Sequence, residues 1–189
     1  MRKRVKAFFI LFIAGYLICS VSGSAHSEQE RQGVFSSGFC TVFYEDGVDL
    51  KVVNSRLNLR FSDFYSPRRF TQKPDLSTQD ILSEKLDAIF VRVEDILDMR
   101  SPRIHVAINI YKTMDGLDAA YEDIFHEPNT AVSFYVYKTN TIYTTERGIK
   151  EDILAHEMAH CVIDHYFVIL PPRKIQEMLA AYADVHLKD

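Results

Sequence analysis

Hydrophobic and polar residues follow two different periods along the chain, and the period predicts the type of each element. Segments rich in β-branched and aromatic residues, several with strict alternation, are typical of strands. Segments in which apolar residues recur every three or four positions are typical of helices. The predicted strands are 39–44, 104–111, 131–137 and 141–145, and the predicted helices are 49–58, a long one from Ser77 or Thr78 towards Pro102, 117–125, one ending before Pro171, and 173–186.

The helix before Pro171 has two different faces. Leu154, Met158, Cys161 and His165 recur at intervals of four, three and four residues, which predicts a stripe that packs against the core. The opposite face of the same helix carries the segment 156–160, so the pattern separates a packing side from a side that is free for chemistry.

The segment 156–160 reads His-Glu-Met-Ala-His. Two histidines four residues apart on a helix project from the same face, so their imidazoles can converge on one metal ion at about 2.0 Å each. Glu157 lies about 100° around the helix from His156, which puts its carboxylate beside the metal, where it can take a proton from water. The alternative interpretation is an ordinary amphipathic helix with two solvated histidines.

A catalytic zinc site usually has three protein ligands, so a third ligand is needed. A histidine six residues after His160 is excluded because Tyr166 occupies that position, and His165 falls on the core stripe. The prolines at 171 and 172 end the first helix and can begin a second one. That second helix carries two acidic residues, Glu177 and Asp184.

The second helix carries a family resemblance. The segment from Pro172 to Tyr182 resembles the second helix of gluzincin metallopeptidases, the thermolysin-like clan, in which a proline precedes a glutamate that is followed by a small residue and often a tyrosine. Glu177 follows His160 by seventeen residues. The resemblance implies that Glu177 is the third ligand of one zinc ion, Zn2+. Asp184 is the alternative ligand, against the interpretation as a solvated acid on the helix face.

The sequence departs from the family at three positions of this helix. Lys174 stands where many relatives have an aromatic residue, Met178 where they have glycine, and Ala181 where thermolysin has an aspartate. The specific motifs are confined to the last forty residues or so of the chain. The small residues Ala180 and Ala181 are expected to let the two helices approach closely enough for the glutamate to reach the metal.

The resemblance also implies a fold and an activity. The fold is α+β and zincin-like, with a small mixed sheet, an edge strand over the cleft and two zinc-ligand helices. The strand 141–145, which runs directly into the first of these helices, is expected to be that edge strand and to pair with an extended peptide. The implied activity is hydrolysis of a peptide or protein substrate, with Glu157 as general base.

Two parts of this interpretation stay open. Tyr143, Tyr182 and His186 are candidate donors for the oxyanion, each against a role in packing or at the surface. A non-catalytic zincin-like domain that binds an envelope partner is the alternative function, favoured by the short stretch after Glu177 and by the aromatic and basic segment 60–76. That segment is predicted to be a loop whose aromatics either pin it to the core or form an interaction surface. The pattern predicts no oligomeric state.

Residues 1–25 are predicted to be a secretory signal that does not belong to the fold. A basic start is followed by an apolar run from Ala7 to Ile18, and small residues precede His26. The run is short for a membrane span, and an uncleaved anchor is the alternative. The expectation is one exported domain over 26–189, periplasmic or secreted, with no stable membrane span after cleavage.

Cleavage of the signal would make the protein more acidic. The full chain has a formal net charge of -4, and residues 1–25 hold four basic and no acidic side chains, so the remainder carries -8. An acidic surface repels a polyanion, which excludes nucleic acid as the expected partner.

Cleavage of the signal would also lower the number of cysteines. The three cysteines become two, Cys40 and Cys161, once Cys19 is removed. An even number in an oxidising compartment predicts a disulfide between them. The alternative is two buried free thiols.

Overall fold

The computed structural model describes residues 33–58, 76–100 and 104–189. The predicted signal, nearly all of the predicted loop 60–76, and Pro102 lie outside the described residues. Within the described part, the protein is α+β, with one mixed sheet of five strands and five α-helices. None of the helices in this part is both long enough and apolar enough to cross a membrane.

The sheet has the order β1-β2-β3-β5-β4. The three central strands β2, β3 and β5 run parallel to one another, and each edge strand pairs antiparallel with its neighbour. Three of the predicted strands agree closely with the observed ones, 131–137 is shortened at both ends, and β1 was not predicted. The strands are β1 Gly33–Ser36, β2 Cys40–Tyr44, β3 Val106–Tyr111, β4 Ser133–Val136 and β5 Thr141–Thr145.

The expected edge strand is wrong. β5, which leads into the histidine-bearing helix, lies inside the sheet between β3 and β4. β4 folds back against it through a 3-10 turn at Tyr137–Thr139 and takes the edge position. Asn140 makes this reversal possible because it adopts a left-handed backbone conformation, with φ 49°, which asparagine tolerates better than most residues.

The helices follow the predicted pattern, with small changes at their ends. Ser77 caps the long helix: its hydroxyl accepts from the N–H of Asp80, whose carboxylate accepts from the N–H of Ser77, which satisfies two donors that the first turn leaves unpaired. The helix ends at Leu97, before Pro102. The helices are α1 Leu50–Arg56, α2 Thr78–Leu97, α3 Met114–Phe125, α4 Glu151–Tyr166 and α5 Arg173–Val185.

The two faces of the sheet carry separate hydrophobic clusters. The larger cluster joins Val42, Ile108 and Ile142 to buried residues of α1, α2, α4 and α5. The smaller cluster joins Phe134 and Tyr143 to Leu117 of α3 on the other face. Alternate residues of β5 therefore point to opposite sides, and only the larger side faces α4.

The predicted disulfide between Cys40 and Cys161 is wrong. Both cysteines are free and fully buried. The Cys161 thiol donates to Asn140 Oδ1 at 3.2 Å, and burial raises the pKa of Cys161 to about 12, so it stays a neutral thiol. An even cysteine count says nothing about whether the two Cβ atoms reach bonding distance, and here both residues fill the core as small hydrophobes.

Candidate metal centre

Helix α4 places the two histidines on the side that the core leaves open. Leu154, Met158 and Cys161 are buried as the stripe predicts, whereas His165 at the end of the stripe is exposed. His156 and His160 are only partly buried, with their ring centroids 5.0 Å apart. Both imidazoles therefore project from one face of the helix, as the spacing predicts.

Helix α5 approaches α4 through small side chains. Ala180 and Ala183 are completely buried, whereas Ala181 is exposed. Side chains as small as alanine allow two helix axes to come close together. The close approach puts Glu177 of α5 opposite the two histidines of α4.

His156, His160 and Glu177 form one group of possible ligand atoms. Glu177 Oε2 lies 3.6 Å from the Nε2 atom of each histidine, and the three ligand atoms all lie within 4.8 Å of one another. Two ligands of a tetrahedral zinc ion at about 2.0–2.1 Å are separated by about 3.4 Å. The donor set of two imidazoles and one carboxylate is one that can hold zinc, and both nitrogen–oxygen separations are close to this value.

Asp184 supports this group without being part of it. Its Oδ2 atom lies 2.9 Å from His156 Nδ1, and because a carboxylate only accepts, Nδ1 donates the proton. The lone pair of the imidazole is then on Nε2, which faces Glu177. A carboxylate behind a metal-ligating histidine is a common arrangement in zinc sites. Asp184 follows Glu177 by seven residues, two helical turns, and this spacing is the signal from which the role could have been predicted.

Glu157 is close to the group but differs from it in its environment. It is buried on the side of α4 next to β4, and burial raises its pKa to about 7, although His156 and a backbone hydrogen bond from Tyr135 act in the opposite direction. A carboxyl group with a pKa near neutrality can both accept and release a proton. Burial also lowers the pKa of His160, which favours the neutral imidazole that binds metals.

A cleft of about 580 Å³ opens beside these residues. Its first wall is the segment before β4 with the first residue of β4, its second wall is the first half of α4, and two residues near the end of α5 complete the lining. The sequence did not point to the first wall, because the segment before β4 has no motif. The cleft is lined by Thr130, Ala131, Val132, Ser133, Asp152, Ile153, His156, Glu157, Asp184 and Val185.

Tyr135 ties the edge strand to α4. Its hydroxyl lies 3.0 Å from Asp164 Oδ2 of α4 and 3.0 Å from Asn140 Oδ1 in the turn. Asn140 also accepts from the Cys161 thiol and donates to the carbonyl of His105. This partly buried polar network links β4 and the turn after it to α4.

The three candidate oxyanion donors are not among the described residues that line the cleft. Tyr143 stacks on Phe134 in the smaller cluster, with ring centroids 4.9 Å apart, on the face of the sheet opposite α4. Tyr182 lies about 140° around α5 from Glu177, and its ring contacts His186. His186 in turn pairs with Asp189.

Comparisons of the chain with protein-family models, with curated proteins and with solved structures found no match. The interpretation of the site therefore depends on the geometry of its own residues.

Proposed function

We propose that this chain is an exported zinc metallopeptidase with a zincin-like fold of the gluzincin type. The observation that carries the proposal is the convergence of His156, His160 and Glu177 from two adjacent helices, within 4.8 Å of one another. A chance meeting of three such groups is common at protein surfaces, but here a fourth residue, Asp184, orients one of the imidazoles.

Each residue would have a separate role. His156, His160 and Glu177 would hold one zinc ion, which when bound acts as a Lewis acid on the scissile carbonyl and makes water more acidic. Glu157 would take the proton from the attacking water and pass it to the leaving amine. Asp184 would keep His156 in the tautomer that exposes Nε2.

The position of β4 favours a peptide as substrate. β4 is an edge strand, and its first residue, Ser133, lines the cleft that also contains Glu157. An extended peptide can pair with the free side of an edge strand through main-chain hydrogen bonds. Such pairing supplies affinity with little dependence on sequence, so the cleft side chains would decide specificity. The basic and apolar segment 1–25 supports export to the periplasm or the medium.

Metal content tests the ligand set. We expect about one zinc per chain in the purified protein and a greatly weakened affinity in Glu177→Ala, measured by elemental analysis and by competition with a chelator. Glu122→Ala, at an exposed position of α3, is the matched control and is expected to keep its zinc. A parent protein that takes up no zinc after reconstitution would contradict the proposal.

Glu157→Gln tests the chemistry separately from the metal. We expect the variant to bind zinc as the parent does, and to cleave a peptide library about 10²–10⁴-fold more slowly. Unchanged cleavage would show that Glu157 is not the general base. A parent that binds zinc tightly but cleaves no peptide would instead support the non-catalytic, partner-binding alternative.

A further inference from the structure

The connection between α4 and α5 exposes a continuous aliphatic tip. Val168 is fully exposed, with 102% relative accessibility, Ile169 is 85% exposed, and Leu170 is also exposed. Single exposed apolar residues are normal on a protein surface. Three in succession, at the end of a helical hairpin, are not explained by packing within the described part of the chain.

The aliphatic tip is flanked by an aromatic residue on one side and by two cationic residues on the other. Tyr166 precedes it with an exposed aromatic ring, and Arg173 and Lys174 follow it, both exposed. The two cations lie in the first turn of α5, at the positive end of the helix dipole, where cations destabilise a helix. Their position therefore calls for a negative group outside the helix. Arg173 pairs at 3.4 Å with Glu177 Oε1 of the same helix, so a negative group outside the helix would still stabilise this end of α5.

The tip is held in place by its surroundings. Phe167 packs against the larger hydrophobic cluster, and the Gln176 side chain donates to the carbonyl of Pro171 at 2.7 Å. Pro171 and Pro172 restrict the backbone that follows. The aliphatic side chains are thus presented by a pre-ordered projection, which loses little conformational entropy on insertion.

We propose that this tip docks the protein on an anionic lipid surface. Val168, Ile169 and Leu170 enter the boundary between headgroups and acyl chains, Tyr166 lies at the headgroup level, and Arg173 and Lys174 contact lipid phosphates. A projection of this kind suits a soft bilayer better than a protein partner, which would need a matching pocket. Because the whole chain carries a net charge of -4, the attraction is local, so docking is weak, reversible and sensitive to salt.

Docking in this way would bring the candidate metal centre close to the membrane. His160 precedes Phe167 by seven residues of chain, about 10 Å of helix, and Glu177 lies about 6 Å beyond Arg173. The bound protein would thus act on substrates near the lipid surface. The docking itself does not depend on the proposed peptidase activity, since none of its residues is a ligand or general base.

The chain contains no tryptophan, which makes a sharp test possible. Val168→Trp introduces a single indole at the tip, and Val34→Trp introduces one at a 57% exposed valine of β1, at the sheet edge opposite β4. Both full-length variants are mixed with vesicles of phosphatidylglycerol and phosphatidylcholine whose acyl chains are brominated. We expect a blue shift and quenching of the indole at 168 and no change of the indole at 34.

The charge dependence is measured with the same indole. In the Val168→Trp background, Lys174→Gln is expected to lower partitioning into anionic vesicles about fivefold, and Ile169→Asp is expected to abolish the quenching. The apolar segment near the N-terminus can by itself bind the full chain to vesicles. Binding through that segment alone would leave the indole at 168 in water, where the brominated acyl chains do not quench it.

Three outcomes would overturn the proposal. The indole at 168 stays unshifted when vesicles are present, or the indoles at 168 and 34 are quenched equally. In the third outcome, the indole at 168 shifts in buffer alone and the shift depends on protein concentration. That last result would assign the tip to contact with a second copy of the chain.

Discussion

Asp184 orients the imidazole of His156 through a single hydrogen bond. Its Oδ2 atom holds the proton on His156 Nδ1 at 2.9 Å, so Nε2 keeps its lone pair towards Glu177. Without this contact the His156 ring could rotate or change tautomer. Binding a metal ion would then cost the conformational entropy that is lost when the ring is fixed.

Asp184→Asn is expected to weaken zinc binding about 10–100-fold while leaving the fold intact, because the amide keeps the shape but removes the charge that fixes the tautomer. Competition with a chromogenic chelator measures the change. Asp189→Asn, which affects His186 instead, is the control. If Asp184 were a direct ligand, the loss would exceed that of Glu177→Ala.

The residue scale is where the sequence was most informative. The spacing of His156, Glu157 and His160 depends only on helix geometry, so it predicted their relative positions. Glu177 could be found only through the family resemblance, because its approach to α4 depends on the small residues Ala180 and Ala183. The position of Tyr143 in β5 was predicted from the sequence. The face of the sheet on which its side chain lies depends on the register of the strand, which the sequence pattern did not give.

At the scale of elements, β4 and α4 are joined by the Tyr135 hydroxyl, which lies 3.0 Å from both Asp164 and Asn140. The contact links the edge strand to the helix that carries the histidines. Removal of the Tyr135 hydroxyl is therefore expected to weaken the attachment of β4 to α4.

Tyr135→Phe is expected to lower the free energy of unfolding by about 1–3 kcal/mol, because the single phenolic proton, which can go to Asp164 or to Asn140, is lost from a partly buried place. Urea denaturation measures the change. Tyr137→Phe is the matched control, since Tyr137 is 62% exposed, and no effect is expected there. Equal effects at the two positions would contradict the network.

Glu146 fixes a second junction, at the end of β5. It is almost completely buried, and it accepts from Lys112 Nζ at 2.6 Å and from the N–H of Asp49 at 2.7 Å. Burial alone would raise the pKa of Glu146, but the hydrogen bonds from Lys112 and Asp49 outweigh it and hold the pKa below its usual value. The carboxylate therefore joins the start of α1, the end of β3 and the end of β5.

Because the pKa of Glu146 is lower in the folded state, its contribution to stability is complete above the unfolded-state pKa of about 4.3 and is lost as the pH falls through the folded-state pKa. Glu146→Gln is expected to destabilise the protein by about 1.5–3 kcal/mol near neutral pH. The difference should shrink as the pH falls below the unfolded-state pKa. Unfolding curves of both proteins over this range, with Glu122→Gln as control, measure it. A constant difference would contradict the assignment.

The sequence predicted whether a segment is a helix or a strand better than it predicted which strands lie next to each other in the sheet. Periodicity is a local property, and it located α1, α3, α5 and the start of α2 within a few residues. The order of strands depends on contacts between distant segments, which explains why β5 was expected at the edge and β4 was found there. β1 has only four residues and follows a polar stretch, so no pattern marked it.

At the scale of the whole molecule, the core is closed without a covalent crosslink between Cys40 and Cys161. Alkylation of denatured, never-reduced protein is expected to label both thiols, as detected by mass spectrometry. The midpoint of thermal unfolding should be the same with and without reductant, because both cysteines pack as free thiols in the larger hydrophobic cluster. Labelling that appears only after reduction would contradict the structure.

The order of elements along the chain has a consequence for biosynthesis. Every strand of the sheet precedes α4 and α5, so a chain made from its N-terminus can assemble the sheet before His156, His160 or Glu177 has been synthesised. Any metal that the centre takes up is therefore acquired late, in the compartment where folding finishes. A site of two nitrogens and one oxygen accepts several divalent ions. The supply of metals in that compartment, rather than affinity alone, would decide which ion the newly made protein carries.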